Sequence, residues 1–340
     1  MRASSAMTGV NIMKKAGLLP HWVVGAFLIT FAVSAFSQEP ISKDAVAWLQ
    51  AMRDAMHNLD YQATVVYSRD NQIQTLKLSR IIQNGVVREH LQALNDPLRE
   101  VVRDGDKVTC YFPDRRAMVV EYQQGKDSLF VHFPWEWQQK EEIYQFKSGH
   151  SGHVAGRQAQ EIIIQPLDKY RYPRRIWLDT ETKLPLKLEL LDHDGSILEA
   201  IIVTDIQLGE AAAAVATALP NHSKTWKILD RKVTPIKDKH WQLSFLPPGF
   251  SEVMRTRRLD PIDQQPIDHI LVSDGIASVS IYIKKSDEKG FDPGNKKLGA
   301  VNTYSKQIGD FYITVLGDVP PETVRAIANG VRVDTGSTSS

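Results

Sequence analysis

Apolar residues recur at helical spacing in one segment near the start of the chain, residues 42–58. Positions three and four apart share one face of a helix, so the spacing predicts an amphipathic helix with that face turned toward a core. Ser42 stands at the N-cap position, where its hydroxyl oxygen can accept a bond from an unpaired backbone N–H. The apolar face consists of Val46, Leu49, Met52, Met56 and Leu59.

Segments with strand character follow this helix one after another. In the first, Tyr61–Ser68, successive residues would face opposite sides of a strand. Tyr61, Ala63 and Val65 then lie on the same side. Asn84-Gly85 is typical of a tight turn that joins antiparallel strands. One helix followed by many strands predicts an α+β fold, mainly of antiparallel β, with the sheet packed on the helix.

The composition changes after the last of these strands. Residues 209–225 contain a run of alanines and then Pro220-Asn221, which is typical of a linker. More strands follow, with a predicted turn at Ser273-Asp274-Gly275, and Pro320-Pro321 indicates the start of a helix. The predicted boundaries are 38–208 for the first domain, 209–225 for the linker, 226–333 for a smaller α+β domain and 334–340 for a disordered tail.

The chain begins with the three parts of an export signal. Two lysines precede an apolar run, Trp22–Ala35, and small residues lead to a boundary near Ser37. We predict a signal peptide over residues 1–37 and a periplasmic location, with Met13 as an alternative start. An uncleaved anchor is the other interpretation, but His21 interrupts the run and leaves a core shorter than the roughly 20 residues of a bilayer span.

Charge and cysteine content narrow the class of protein. The chain has 41 Lys and Arg against 40 Asp and Glu, so no global field favours binding to nucleic acid. Cys110 is the single cysteine, which excludes an intramolecular disulfide, and its strand-like surroundings indicate a small packed side chain. The sequence contains no catalytic or cofactor-binding motif, so we expect a binding protein without a cofactor rather than an enzyme.

Three short segments have two interpretations each. The histidines of His150–His153 resemble a metal pair, but the glycine between them favours a turn and no further ligand is fixed. Lys169–Arg175 combines cationic and aromatic residues. The segment is either a site that binds the anionic headgroup of a lipid or a solvated strand edge. Arg255–Arg258 fits either an acidic peptide or a soluble surface, and alternation places Arg255 and Arg257 on one face.

An aromatic-rich stretch with weak periodicity lies in the first domain. If the sheet curves over the helix without being filled, an apolar groove remains on that face. The stretch is then a loop or lid over a groove that holds an acyl chain. Ordinary core packing is the alternative, and the sequence leaves both open. The members are Phe130, Phe133, Trp135, Trp137, Ile143, Tyr144 and Phe146.

Five further segments, spread over both domains, are Arg99–Val102, Trp177–Pro185, Leu190–Gly195, Leu246–Phe250 and Gly317–Thr323. Through them the chain resembles the RseB/MucB family, periplasmic regulators of the sigma-E (AlgU-type) envelope-stress response. The specific part is the Leu-Pro-Pro-Gly-Phe segment together with the Pro-Pro helix start, behind a signal peptide.

The resemblance implies a fold and a function. The first domain would be a half-barrel like that of the lipoprotein carriers LolA and LolB, packed on helices and enclosing a lipid-sized cavity. The smaller second domain would bind the periplasmic domain of a membrane anti-sigma factor of the RseA/MucA type and shield it from regulated proteolysis. Lipopolysaccharide, lipid A or an acyl chain would release that partner.

The family supplies no catalytic residues, so the binding residues are our own predictions. The partner-binding group, chosen by charge, is Arg255, Arg257 and Arg258, and the lipid-binding group is Phe133, Trp135 and Trp137. We predict no catalytic residue and no metal ligand. A periplasmic lipid or lipoprotein carrier without a signalling partner and an exported hydrolase stay open as alternatives, and so does a homo-oligomer.

Overall fold

The computed structural model describes most of the chain between residues 43 and 333. The described ranges are 43–70, 72–122, 137–209, 226–230, 234–236, 240–260, 265–286 and 293–333. The predicted signal peptide, the linker after Gly209, the tail, and the candidate lipid residues Phe133 and Trp135 lie outside these ranges. Within them, no helix is both long enough and apolar enough to cross a membrane.

The first sheet carries helix α1 (Lys43–Asn58) on one face, here called the inner face. Its strands are β1 (Tyr61–Arg69), β2 (Gln72–Gln83), β3 (Val86–Ala93), β4 (Glu100–Asp104), β5 (Lys107–Phe112), β6 (Ala117–Tyr122), β7 (Tyr144–Val154), β8 (Arg157–Pro166), β9 (Arg174–Asp179), β10 (Pro185–Leu191), β11 (Ile197–Leu208) and β12 (Lys227–Asp230). Their order is β12-β6-β5-β4-β3-β2-β1-β11-β10-β9-β8-β7. Neighbours are antiparallel except β12 and β6, so the predicted open, mainly antiparallel sheet is confirmed.

The second sheet packs on helix α2 (Pro321–Gly330). The strands of this half are β13 (Thr234–Pro235), β14 (Trp241–Leu243), β15 (Ser251–Leu259), β16 (Pro266–Ser273), β17 (Ser278–Lys285), β18 (Gly294–Leu298), β19 (Val301–Ile308), β20 (Phe311–Gly317) and β21 (Val331–Val333). The order in the sheet is β13-β15-β16-β17-β20-β19-β18, and β14 pairs separately with β21. The helix begins at the predicted Pro-Pro pair, whose second proline lacks an N–H that would have no partner there.

Each half has a core of the kind its sequence pattern predicts. Leu49 and Met52, on the predicted apolar face of α1, are fully buried against Phe146 and Ile162 of β7 and β8. In the second half, the alternating apolar residues of β16, β17 and β20 pack against α2. The helix prediction over residues 42–58 is therefore confirmed from Lys43 onward.

The histidine pair lies within β7 and not in the predicted turn. A Cβ atom at Gly152 would lie 2.9 Å from Cζ3 of Trp177, and one at Gly149 would collide with the carboxylate of Glu161. Glycine is present because side chains of β8 and β9 approach β7 closely, which is a recognised use of glycine inside a sheet. The described ranges contain no group of three or more side chains that could hold a metal ion.

One strand beyond the predicted linker, β12, belongs to the first sheet. Strand β12 runs parallel to β6 and covers backbone groups that an exposed edge would leave unpaired. The N–H of Lys227 donates to the carbonyl of Arg116 over 2.9 Å, and the ring of Trp226 meets Tyr111 edge-on. These contacts depend on residues more than 100 positions earlier, so the local pattern around residue 226 could not reveal them.

The core of the first domain predicts the effect of truncating α1. Leu49→Ala should lower the free energy of unfolding by about 2–5 kcal/mol, because the lost side chain leaves a cavity. The matched control is Leu298→Ala, at a residue that is 69% exposed, where the change should stay within about 0.5 kcal/mol. Urea unfolding followed by circular dichroism measures both, and equal effects would contradict the described core.

Candidate functional site

An apolar crevice lies on the inner face of the first sheet, between its central strands and the last turn of α1. Its free volume is about 30 Å³, room for about one or two water molecules, so a ligand enters only if the wall residues move apart. The wall is formed by Met56, Tyr61, Ala63, Val65, Leu78, Leu184, Pro185, Leu188, Ile201, Val203 and Ile206. Because the wall consists almost entirely of apolar side chains, a ligand that entered by moving them apart would itself be apolar, such as an acyl chain.

The crevice exists because α1 does not cover the whole inner face. The helix packs mainly on β7 and β8, at one end of the sheet, and only Met56 in its last turn reaches the wall. On β1, Ala63 stands between Tyr61 and Val65 on the same side. Because alanine is the smallest of these side chains, it leaves space where a larger residue would meet the helix.

The predicted lipid residue Trp137 is buried in the core and does not belong to the crevice wall. Its ring is fully buried and meets Phe146 edge-on, with 5.9 Å between the centroids. Its role in lipid binding stays a prediction, as do those of the undescribed Phe133 and Trp135. The wall residues that we did not single out, such as Val203, sit on strands. Among the described residues, no predicted lipid residue lies in this wall, and the alternation of β1 is the sequence signal that could have identified its members on that strand.

The turn between β16 and β17 inserts into the first domain. We call its residues, Ser273–Ala277, the hairpin tip. Ile276 of this tip is 8% exposed and belongs to the first domain's core cluster, which also contains the crevice residues Met56 and Tyr61. The second domain thus contributes a side chain to the core that borders the crevice.

The carboxylate of Asp274 anchors the hairpin tip. One oxygen accepts hydrogen bonds from the hydroxyl of Tyr144 (2.9 Å) and from Nε of Arg171, while the other accepts from two backbone N–H groups of the tip itself. Four donors satisfy this buried carboxylate. Burial, reinforced by the charge of Asp274, raises the pKa of Tyr144 well above its ordinary value, so the phenol remains a neutral donor.

Arg171 forms the other half of this anchor, and its side chain is fully buried. It also donates to Asp168 and to the carbonyl of Pro248, and its guanidinium carbon lies 4.8 Å from the ring centroid of Phe250. A solvated strand edge, the structural alternative for Lys169–Arg175, is therefore wrong for Arg171. The residue that looked like an exposed cation joins the two domains.

The three predicted partner-binding arginines have different surroundings. Arg255 donates to Glu252 and to the carbonyl of Trp241, and Arg257 forms a two-bond ion pair with Asp268 at 2.5 and 2.9 Å. Both lie on one face of β15, as alternation predicts, since the register between them is regular. Arg258 points to the other face, over the ring of Tyr282, and has no ion pair within the described ranges.

Family models match both halves of the chain. The model for the MucB/RseB N-terminal domain matches residues 44–225, and the model for the MucB/RseB C-terminal domain matches residues 235–332. The first match includes the predicted linker and ends at its last residue. The second begins after β12, in agreement with the place of that strand in the first sheet.

Curated relatives and solved structures point to the same family. The chain is 28% identical to the sigma-E factor regulatory protein RseB of Salmonella typhimurium, over 88% of this chain and 95% of that protein. It is also 28% identical to the sigma factor AlgU regulatory protein MucB of Pseudomonas aeruginosa, over 85% and 91%. A crystal structure of MucB in complex with MucA(peri) matches with a TM-score of 0.69 and 26% identity, over 85% of this chain and 99% of that one.

The crevice predicts binding of apolar molecules at a defined wall. Ala63→Phe should weaken binding of a fluorescent apolar probe by about tenfold or more, because the ring occupies the empty volume. Ala47→Phe, the same change at an exposed position of α1, is the matched control and should leave binding unchanged. Fluorescence titration measures both variants after circular dichroism has shown that they fold. Unchanged probe affinity in Ala63→Phe would contradict the crevice as the binding site.

Proposed function

Because the chain belongs to the MucB/RseB family of regulatory proteins, which are not enzymes, we propose that it binds the periplasmic domain of an RseA/MucA-type membrane anti-sigma factor. It acts in the periplasm and shields that partner from regulated proteolysis. Lipopolysaccharide, lipid A or another acyl-bearing lipid enters the crevice and releases the partner. The chain is thus a negative regulator of an envelope-stress sigma factor.

The binding half of this proposal is supported by the relatives. The solved MucB is in complex with MucA(peri), and this chain matches nearly all of that MucB chain. The partner surface that we predict contains Arg255, Arg257 and Arg258, of which only the last has a guanidinium without an internal ion pair among the described residues. The predicted lipid contacts Phe133, Trp135 and Trp137 stay part of the proposal, although Trp137 is buried in the core beside the crevice and not in its wall.

The lipid half is supported by the crevice, and the link between the halves by the hairpin tip. A ligand and a partner that bind different sites influence each other only if each prefers a different state of the protein, and the influence is then reciprocal. Ile276 shares its core cluster with Met56 and Tyr61, which line the crevice. Filling the crevice therefore acts on packing that the second domain shares. This shared core is the observation that carries the proposal.

A lipid or lipoprotein carrier without a signalling partner is the second candidate, since the crevice alone would serve it. The two candidates differ in the hairpin tip. A carrier has no need to connect its cavity to a second domain, whereas a regulator does. The buried anchor of Asp274 and Arg171 therefore favours the regulator.

A titration tests the proposal directly. The periplasmic fragment of the anti-sigma factor should bind the protein, and saturating lipopolysaccharide should weaken this affinity by about 5- to 150-fold. By reciprocity, the fragment should weaken lipopolysaccharide binding by the same factor. Isothermal titration calorimetry measures both. No binding of the fragment would leave the carrier as the better candidate, and an affinity that saturating lipid does not change would remove the release mechanism.

A variant of the hairpin tip tests the coupling separately. Ile276→Ala should reduce the lipopolysaccharide-dependent change in fragment affinity by about 2- to 30-fold, because it removes the contact that the two domains share. Ile197→Ala, at a residue that is 55% exposed, is the matched control. The same calorimetric titrations, with and without lipid, measure the change. Full coupling in Ile276→Ala would show that the signal takes another route.

A further inference from the structure

The second sheet has an outer face on which no described element packs. Helix α2 and the β14–β21 pair lie on the opposite face, where their apolar residues complete the core. The apolar side chains Ile267, Leu271 and Leu316 of the outer face are half-buried. A sheet with a partly apolar, uncovered face is a surface that another chain can occupy.

All the charged side chains at the strand positions of this outer face are positive. The register places Arg258, His269, Tyr282 and Lys284 on it, and none of its described strand positions from β15 to β18 holds Asp or Glu. Lys284 pairs with Asp260, which lies just beyond the end of β15. The surface therefore complements an acidic partner.

Arg258 is held in position by a stack of rings. Its guanidinium carbon lies 5.3 Å from the ring centroid of Tyr282, and that ring is stacked on His269 at 4.4 Å and 15°. His269 in turn lies within hydrogen-bond distance of the hydroxyl of Ser280, at 3.0 Å. Burial, with the nearby charge of Arg258, lowers the pKa of His269, so the imidazole is neutral near pH 7 and the stack carries a single charge.

The nitrogen atoms of Arg258 lack the acceptors that the other arginines of β15 have. Its Nε is buried and has no hydrogen-bond acceptor among the described residues. Directly opposite it in the register stands Ile267, whereas Arg257 stands opposite Asp268. A guanidinium that is ordered by stacking and has free donors is suited to bind a carboxylate through two parallel bonds.

We infer that Arg258, stacked on Tyr282, binds an Asp or Glu side chain of the anti-sigma partner, with an apolar residue of the same segment packed on Ile267. This inference rests on the proposed function and names the contact within it. A peptide is favoured over a lipid phosphate because the face offers one ordered guanidinium beside half-buried apolar side chains. A lipid headgroup would supply charge but no side chain to cover them.

Arg258→Ala should weaken binding of the periplasmic fragment by about 10- to 100-fold, the loss expected for hydrogen bonds to a charged group. Arg88→Ala is the matched control: this arginine lies on β3, outside the predicted partner surface, and its guanidinium is already paired with Asp104, so affinity should stay within about twofold. Arg258→Lys keeps the charge without the planar fork and should recover only part of the affinity. Thermal unfolding checks that all three variants fold. If Arg258→Ala does not fold, Arg258→Lys still tests the site.

The outcomes separate this inference from the proposed function. If the unmodified protein does not bind the fragment, the proposed function fails and this contact fails with it. If the unmodified protein binds and Arg258→Ala binds equally well, only the contact is wrong. If Arg258→Ala instead lowers affinity for lipopolysaccharide and leaves the fragment unaffected, the site recognises phosphate and the inference is overturned.

Discussion

One buried carboxylate, that of Asp274, holds the hairpin tip of the second domain in the first domain. Removing a charged group from water is costly unless an opposite charge and hydrogen-bond donors replace the solvent. Here Arg171, Tyr144 and two backbone N–H groups replace it, and they come from both sides of the domain boundary. Buried ion pairs add little stability over well-packed apolar groups, but losing one partner is expensive. The pair therefore favours one position of the hairpin tip over its neighbours.

That position places Ile276 in the core that borders the crevice. Closely packed interiors shift between alternative packings and do not deform smoothly, so a change of volume on one side is felt on the other. Met56 and Tyr61 line the crevice and share the cluster of Ile276. Coupling between lipid and partner then needs no long series of intermediates. The polar pair fixes the position of the tip, and the apolar contact makes that position sensitive to what fills the crevice.

Local pattern was enough to predict α1 and the turn of the hairpin tip, because spacing and turn chemistry act over a few residues. The alternation around Ala63 predicted strand β1, but nothing local marks that side of the strand as the crevice wall. It could not reveal the surroundings of Arg171, whose partner Asp274 lies 103 residues away. Strand β7 was missed for the same reason: Gly152 suggests a turn until Trp177 of another strand is seen to need the space. In each case the prediction failed because it depended on contacts between residues far apart in the chain, which a single sequence does not show.

The arginines of β15 show why local charge is a weak guide to a binding surface. In the sequence Arg257 and Arg258 are neighbours of the same kind, but different residues lie opposite them on β16. Asp268 pairs with Arg257, whereas Ile267 offers Arg258 no acceptor. Which cation remains available is thus decided on β16, not on β15. It follows that binding by such a strand can be gained or lost through substitutions at residues 267 and 268, with every arginine unchanged.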